Sequence, residues 1–210
     1  EFVSELYTDL SRRDFTINSL AYNPLYNNGE VIDYFNGIND LKNKIIRTIN
    51  NPFDRFKEDG LRILRALRFS STLGFEIEEK TFEAIEKNYM LALNTSIERR
   101  SIEINKLVFG NYFDKTIKNS NHILKPFLTI FNYENSIESY CKLYKKCDDI
   151  VEKLAVLYFN NQELLKSESL KLSINKNIVN MCIKMFTIIS NVDFNDELDI
   201  RLKTNLYKKE

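Results

Sequence analysis

From residue 52 onward the apolar residues of this 210-residue chain recur at helical spacing. That confines the fold to a mainly α class, with β structure restricted to the first fifty residues. There, residues 30–35 read as a short strand stopped by Asn36-Gly37, and the β-branched run 45–49 reads as a second. Ser11 stands as an N-cap ahead of a helix of about three turns that ends at Asn23-Pro24. Asn27-Asn28-Gly29 signals a turn, and residues 41–44 one helical turn. Beyond residue 52 the spacing predicts a helix over 54–71, closed by Leu73-Gly74. A linker over 74–78 leads to a helix over 79–88. Another helix runs from the Thr95-Ser96 cap to about Phe109, with Gly110 as its stop. Residues 111–210 contain only helical stretches, the best being 136–145, 148–160 and 178–190.

Charge sharpens this picture locally rather than globally. Thirty Lys and Arg balance thirty Asp and Glu, so no overall pull toward nucleic acid or anionic lipid follows. Cys141, Cys147 and Cys182 lack the close spacing of a zinc or redox motif and read as reduced thiols. No apolar run has the length needed to cross a bilayer, and no signal-peptide pattern is present, so the expected compartment is the cytoplasm. His122, the only histidine, reads as structural or exposed.

The net-zero chain concentrates eight basic residues against three acidic ones between Lys42 and Arg68. On a continuous helix over 54–71, Arg55, Asp59, Arg62, Arg65 and Arg68 would form one row, opposite an apolar side of Phe56, Leu64, Leu67 and Ser71. Arginine supplies planar paired donors suited to phosphate and to base edges. An Asp–Arg pair at i,i+3, here Asp59 and Arg62, sets an acceptor beside a donor. Cytosine (N4 amine, N3) and adenine (N6 amine, N1) match that pattern, whereas uracil and guanine present its reverse. Asp14 and Asn18, with Arg13 adjacent, share a face on which a ribose hydroxyl could be held, and Arg99 and Glu103 stand at ion-pair spacing on a later helix.

At these residues the chain resembles the tRNA nucleotidyltransferase/poly(A) polymerase family, the class II CCA-adding enzymes and their relatives. Arg12-Arg13-Asp14 through Asn23 is similar to the family's ribose-selecting motif, and residues 32–41 to the strand and loop that follow it. Pro52 through Phe69 resembles the neck motif whose Asp and Arg serve as a protein template. Residues 96–106 resemble the later neck helix, with Arg99 and Glu103 at its centre. The motifs stand in the family's order over about the first 110 residues, and 111–210 match loosely as an all-helical body.

The resemblance implies an α/β remnant of a nucleotidyltransferase head over 1–49, a helical neck over 50–110 and a helical body over 111–210. It implies that Asp59 and Arg62 pair with the incoming base, that Arg65 and Arg68 contact the nucleotide, and that Arg13 and Asp14 handle the ribose, with Asn18 also among the nucleotide-binding residues. Arg99 and Glu103 would support the neck. The implied activity is transfer of CMP and AMP from CTP and ATP to a tRNA 3′ end, with Mg²⁺ as cofactor. The metal-binding carboxylates are expected upstream, so no catalytic or metal-ligating residue is assigned within the chain, which as it stands is expected to bind rather than catalyse. A poly(A) polymerase, a CC- or A-adding enzyme, and a non-catalytic helical RNA- or nucleotide-binding module are the alternatives. Asn51, Tyr34 and Asn36 depart from the family's usual Asp, Pro and Gly. Gly60 replaces a usual Ala in what reads as a helix interior, where glycine costs about 1 kcal/mol.

Overall fold

A computed structural model describes residues 2–25, 29–159 and 161–190. The chain forms two compact units that divide between Ile123 and Leu124. It is mainly helical, with two small two-stranded sheets among the described residues.

The first unit opens with α1 (Phe2–Ser11), and Ser11 ends that helix instead of starting the next. Its hydroxyl donates to the Thr8 carbonyl (2.9 Å), a bond within the last turn. The three-turn helix expected after Ser11 does not form. Backbone pairing wins instead: the Thr16 N–H donates to Arg47 O (3.0 Å), the Ile49 N–H donates to Asp14 O (3.2 Å), and Phe15 bridges to Thr48. This extended stretch buries Phe15 completely, with its ring edge-on to Phe69. Only a 3-10 turn remains at Thr16–Asn18. β1 (Leu20–Tyr22) then pairs antiparallel with β2 (Val31–Asp33), Ala21 facing Ile32. Asn27 and Asn28 of the expected turn lie outside the described residues.

β2 stops where the Asp33 carboxylate turns back to accept from the N–H groups of Gly37 (2.8 Å) and Ile38 (2.9 Å). Those bonds satisfy the first donors of α2 (Gly37–Asn43), a longer helix than the single turn expected. Asn36 holds the left-handed conformation (φ 61°), which asparagine tolerates better than most residues, and this accommodates the departure from glycine. β3 (Ile45–Ile46) is shorter than the expected strand, because Thr48 turns to bridge Phe15. It pairs in parallel with β4 (Glu76–Ile77), so the segment read as a linker is a strand. The buried Asp40 ties these parts together, accepting from Thr16 Oγ1 (2.7 Å) and Arg47 Nε (3.0 Å).

The expected helix over 54–71 is two helices, α3 (Pro52–Glu58) and α4 (Leu61–Leu73). Asn51 caps α3 through the Phe53 N–H, and Asp54 lies in the first turn. Asp59 between the helices is extended (φ −148°, ψ 103°). The reason is tertiary. α5 (Glu79–Asn88) leads into a 3-10 segment, Tyr89–Asn94, that packs on α4. The Cα of Gly60 lies so close to it that an added Cβ would meet the Leu91 carbonyl oxygen at 2.4 Å. Gly60 is therefore a close-approach glycine at a helix start, not a helix-interior substitute for alanine. The apolar side is buried as expected, with Phe56, Leu64, Leu67 and Ser71 all at 0% exposure. α6 (Ile97–Val108), capped by Ser96, packs along α4, and Ser71 Oγ donates across to Leu107 O (2.6 Å). α7 (Phe113–Leu124) follows.

The second unit holds α8 (Glu134–Leu143), α9 (Ile150–Leu157), α10 (Gln162–Glu168) and α11 (Lys176–Ser190). Asn160, at the end of the helix expected over 148–160, lies outside the described residues. Tyr140, Tyr144 and Tyr158 are buried, the first two stacked at 5.4 Å. The buried Glu168 accepts from the Ile130 N–H (3.3 Å) and the Tyr158 hydroxyl (3.1 Å). All three cysteines are free thiols, and burial pushes that of Cys182 up to about 12. Among the described residues no helix is long and apolar enough to cross a membrane.

The Gly60 packing reverses the sign expected from helix propensity. Gly60→Ala should destabilise the protein by about 1–3 kcal/mol, because the clash is with backbone that cannot step aside. A thermal melt showing equal or higher stability would refute the close approach.

Candidate functional site

The break between α3 and α4 splits the expected row of arginines into groups with different work. Arg55, on α3, is buried at 7% exposure. Its Nη2 donates to the carbonyls of Arg12 (2.7 Å) and Arg13, and its Nη1 reaches Glu58. Burial lowers its pKa, as does the neighbouring charge of Arg62, while Glu58 opposes the shift. Arg55 thus fixes the backbone that carries Arg13 and Asp14, rather than facing solvent.

Of the remaining arginines of that row, Arg62 and Arg65 line a cavity of about 780 Å³ in the first unit. Arg62 donates from Nη1 to Arg55 O (2.8 Å) and Glu58 Oε2 (2.7 Å). This bond from Arg62 is the first cause of the lowered Glu58 pKa. Arg65 donates from Nε to Asp14 Oδ2 (2.6 Å) and from Nη1 to Glu103 Oε1 (3.1 Å). Arg68 donates from Nε to Glu103 Oε2 (2.9 Å), and its guanidinium lies 3.5 Å from the centroid of the Phe69 ring. Glu103 is 6% exposed and so bridges two cations from beneath.

Asp14 closes the other end of this chain of charges. Its Oδ1 accepts from the Phe15 N–H and from Asn18 Nδ2, both at 3.0 Å. Burial pushes its carboxyl up. The Asn18 hydrogen bond and the Arg65 charge outweigh that and hold it below the ordinary aspartate range. Burial likewise pulls the Arg65 guanidinium down, and Asp14 and Glu103 together more than restore it. Arg13 does not pair with Asp14. It donates to Asn18 O and Asp9 Oδ2, both at 3.1 Å.

Asp59 sits at the opposite rim. Its Oδ1 accepts from the Leu61 N–H (3.1 Å) and caps α4, while its Oδ2 accepts from Arg99 Nη2 (2.7 Å). The i,i+3 pair with Arg62 and the i,i+4 pair of Arg99 with Glu103 suggested by helical spacing are both replaced by contacts between elements.

Of the residues singled out in the sequence, Arg13, Asp14, Asn18, Asp59, Arg62, Arg65, Arg99 and Glu103 line one cavity. Arg68 is not on its lining and meets it through Glu103. Sequence reasoning missed the apolar part of the wall, Leu61, Phe69 and Ile102. Ile102 is 49% exposed, and its position one turn beyond Arg99 was the available signal. Such a wall, apolar surface beside paired acceptors and donors, suits a flat heteroaromatic ring with a charged appendage, and the volume is in the range of small-molecule sites. The three carboxylates on the wall are each committed to arginine, and among the described residues no cluster of His, Cys, Asp and Glu could hold a metal ion. The residues present do not fit the Mg²⁺ that the resemblance implies.

Residues 1–47 match the poly(A) polymerase head domain family, and residues 74–119 the family described as a probable RNA and SrmB-binding site of polymerase A. A CCA-adding enzyme of Streptococcus thermophilus is 50% identical over 117 residues, covering 56% of this chain and 28% of that protein. One from Ligilactobacillus salivarius is 42% identical over 168 residues, covering 80% and 37%. Among solved structures, the Bacillus stearothermophilus CCA-adding enzyme in complex with CTP aligns with a TM-score of 0.74 at 26% identity, over 89% of this chain and 48% of that one. The Thermotoga maritima enzyme complexed with tRNA aligns at 0.61 and 27% identity, over 85% and 47%. The chain spans 28% and 37% of the two curated relatives' lengths.

The lowered Asp14 pKa makes a signed prediction. Its contribution to stability is fully present above the ordinary value of 3.8 and is lost as pH falls through the lowered folded value. Asp14→Asn should therefore melt below the wild type at neutral pH, and the two should converge as the pH drops below about 4. A gap that stays constant into acid would show that the Asp14 charge is not what Arg65 holds. Glu103→Gln should cost about 2 kcal/mol in denaturant melts, because two partly buried guanidinium groups lose a shared charged acceptor.

Proposed function

We propose, for a chain that belongs to the tRNA nucleotidyltransferase/poly(A) polymerase family, that its cavity reads the base of an incoming CTP or ATP during CCA addition to tRNA. The observation that supports this best is the pair Asp59 and Arg62. They line one cavity, are held by different partners, and offer a carboxylate acceptor beside a guanidinium donor. Asp59 takes the exocyclic amine of C or A, and Arg62 donates to the ring nitrogen beside it. Leu61, Phe69 and Ile102 give the base an apolar wall. Arg13, Asp14 and Asn18 face the ribose, Asp14 being held by Arg65 and Asn18. Arg65 meets the phosphates, and Arg68 supports it through Glu103. Arg99 borders the base.

In this reading residues 1–49 belong to the head, 50–110 form the neck and 111–210 the body. The whole enzyme transfers CMP and AMP from CTP and ATP to the tRNA 3′ end in the cytoplasm. Mg²⁺ belongs to that whole enzyme, and the part of the work assigned to the side chains here is binding and selecting the nucleotide. The relatives named CCA-adding enzymes favour this activity over polyadenylation.

The test has two parts. Binding of the four nucleoside triphosphates to the chain should favour C and A over U and G. Asp59→Ala should lower that preference by roughly tenfold while sparing most of the phosphate-driven affinity. Equal affinities for all four in both proteins would refute base reading. Residues 1–119 of this chain, exchanged into the Bacillus subtilis CCA-adding enzyme, 49% identical over 110 residues, should support addition of two C and one A to a tRNA lacking them. A long A tail would point to a poly(A) polymerase instead.

A further inference from the structure

We infer that Arg99 keeps the two base-reading groups of the cavity apart, and so acts as a positioning residue for base preference; this rests on the reading of Asp59 and Arg62 proposed above. Asp59 and Arg62 carry opposite charges three residues apart at the start of α4, a spacing at which such groups attract. If they closed on each other, each would satisfy the lone pair or N–H that a base must find free. In the structure they do not close. The Arg62 Nη1 is occupied by Glu58 (2.7 Å) and Arg55 O (2.8 Å), and the Asp59 Oδ2 by Arg99 (2.7 Å).

The Leu61 N–H holds only Oδ1 of Asp59 (3.1 Å). That bond alone leaves the carboxylate free to pivot about it toward Arg62. The second bond, from Arg99, fixes the plane of the group. Arg99 delivers it from a braced position. Ser96 caps the first turn of α6, and the next residue, Arg100, donates to the carbonyls of Leu93 and Thr95 (2.6 Å). The Arg99 side chain itself is 53% exposed, so its own packing contributes little. A carboxylate oxygen has two lone pairs, so Oδ2 can accept an exocyclic amine while still bound to Arg99. Arg99 therefore orients the acceptor without blocking it.

The test is binding of CTP, ATP, UTP and GTP to the wild-type chain and to the Arg99→Ala, Arg99→Lys, Asp59→Ala and Asp59→Ala/Arg99→Ala variants, with melts to follow folding. Arg99→Ala should melt with the wild type and lower the preference for C and A over U and G by about tenfold. Arg99→Lys, which returns one charged donor, should recover part of that preference. In the Asp59→Ala background the Arg99 substitution should change the preference no further. Three outcomes would each overturn the inference alone: an unchanged preference in Arg99→Ala, an equal loss for all four nucleotides, or the same change in preference with Asp59 already absent. No preference in the wild type would overturn the base-reading proposal together with it.

Discussion

The buried carboxylate of Glu103 holds the site together. It is the shared acceptor of Arg65 and Arg68, two guanidinium groups one turn apart on α4 that would otherwise repel. Arg65 passes that bond on to Asp14, and Asp14 to Asn18, so one run of alternating charge ties α6 through α4 to the extended stretch after α1. Breaking such a run at one member leaves the next a charge with no partner, the expensive case for a half-buried group.

α6 organises the site with three polar residues in its first two turns. Arg99 goes to Asp59, Arg100 to the turn at 92–95, and Glu103 to the two arginines of α4. The middle contact matters because it fixes the backbone against which Gly60 packs. The kink at Asp59 follows from that packing, and it lifts the Asp59 carboxylate out of the helical row. The local path of α3 into α4 is thus dictated from Leu91, 31 residues beyond Gly60, through a backbone contact that only glycine admits.

This explains what could be read in the sequence. Helices such as 79–88 and the one capped at Ser96 were legible because their caps and apolar spacing are local. The residue types of the cavity were legible because a concentration of arginine in a neutral chain is conspicuous. The pairing among them was not. Helical spacing couples Asp59 with Arg62 and Arg99 with Glu103, whereas each found a partner on another element. The fate of residues 12–18 was hidden for the same reason. Their pattern suits a helix, and only the bonds to 47–49 and the burial of Phe15 make the extended form win. The strand at Glu76–Ile77 was equally invisible, since two residues carry no periodicity and its partner lies 31 positions earlier.

The wall of the cavity joins parts of the chain that begin far apart. The Asp14–Arg65 bond spans 51 positions and the Arg99–Asp59 bond 40. Closing loops of that size has an entropic cost that must be met before either bond can form. The cavity is therefore absent from any partly folded state in which α6 has not yet docked. Whatever occupies it binds only the completed first unit, and its affinity becomes part of that unit's resistance to unfolding. In a protein built this way, a ligand of the cavity shares the role of a chaperone: it selects, from the ensemble of a newly made chain, the members whose distant segments have already met.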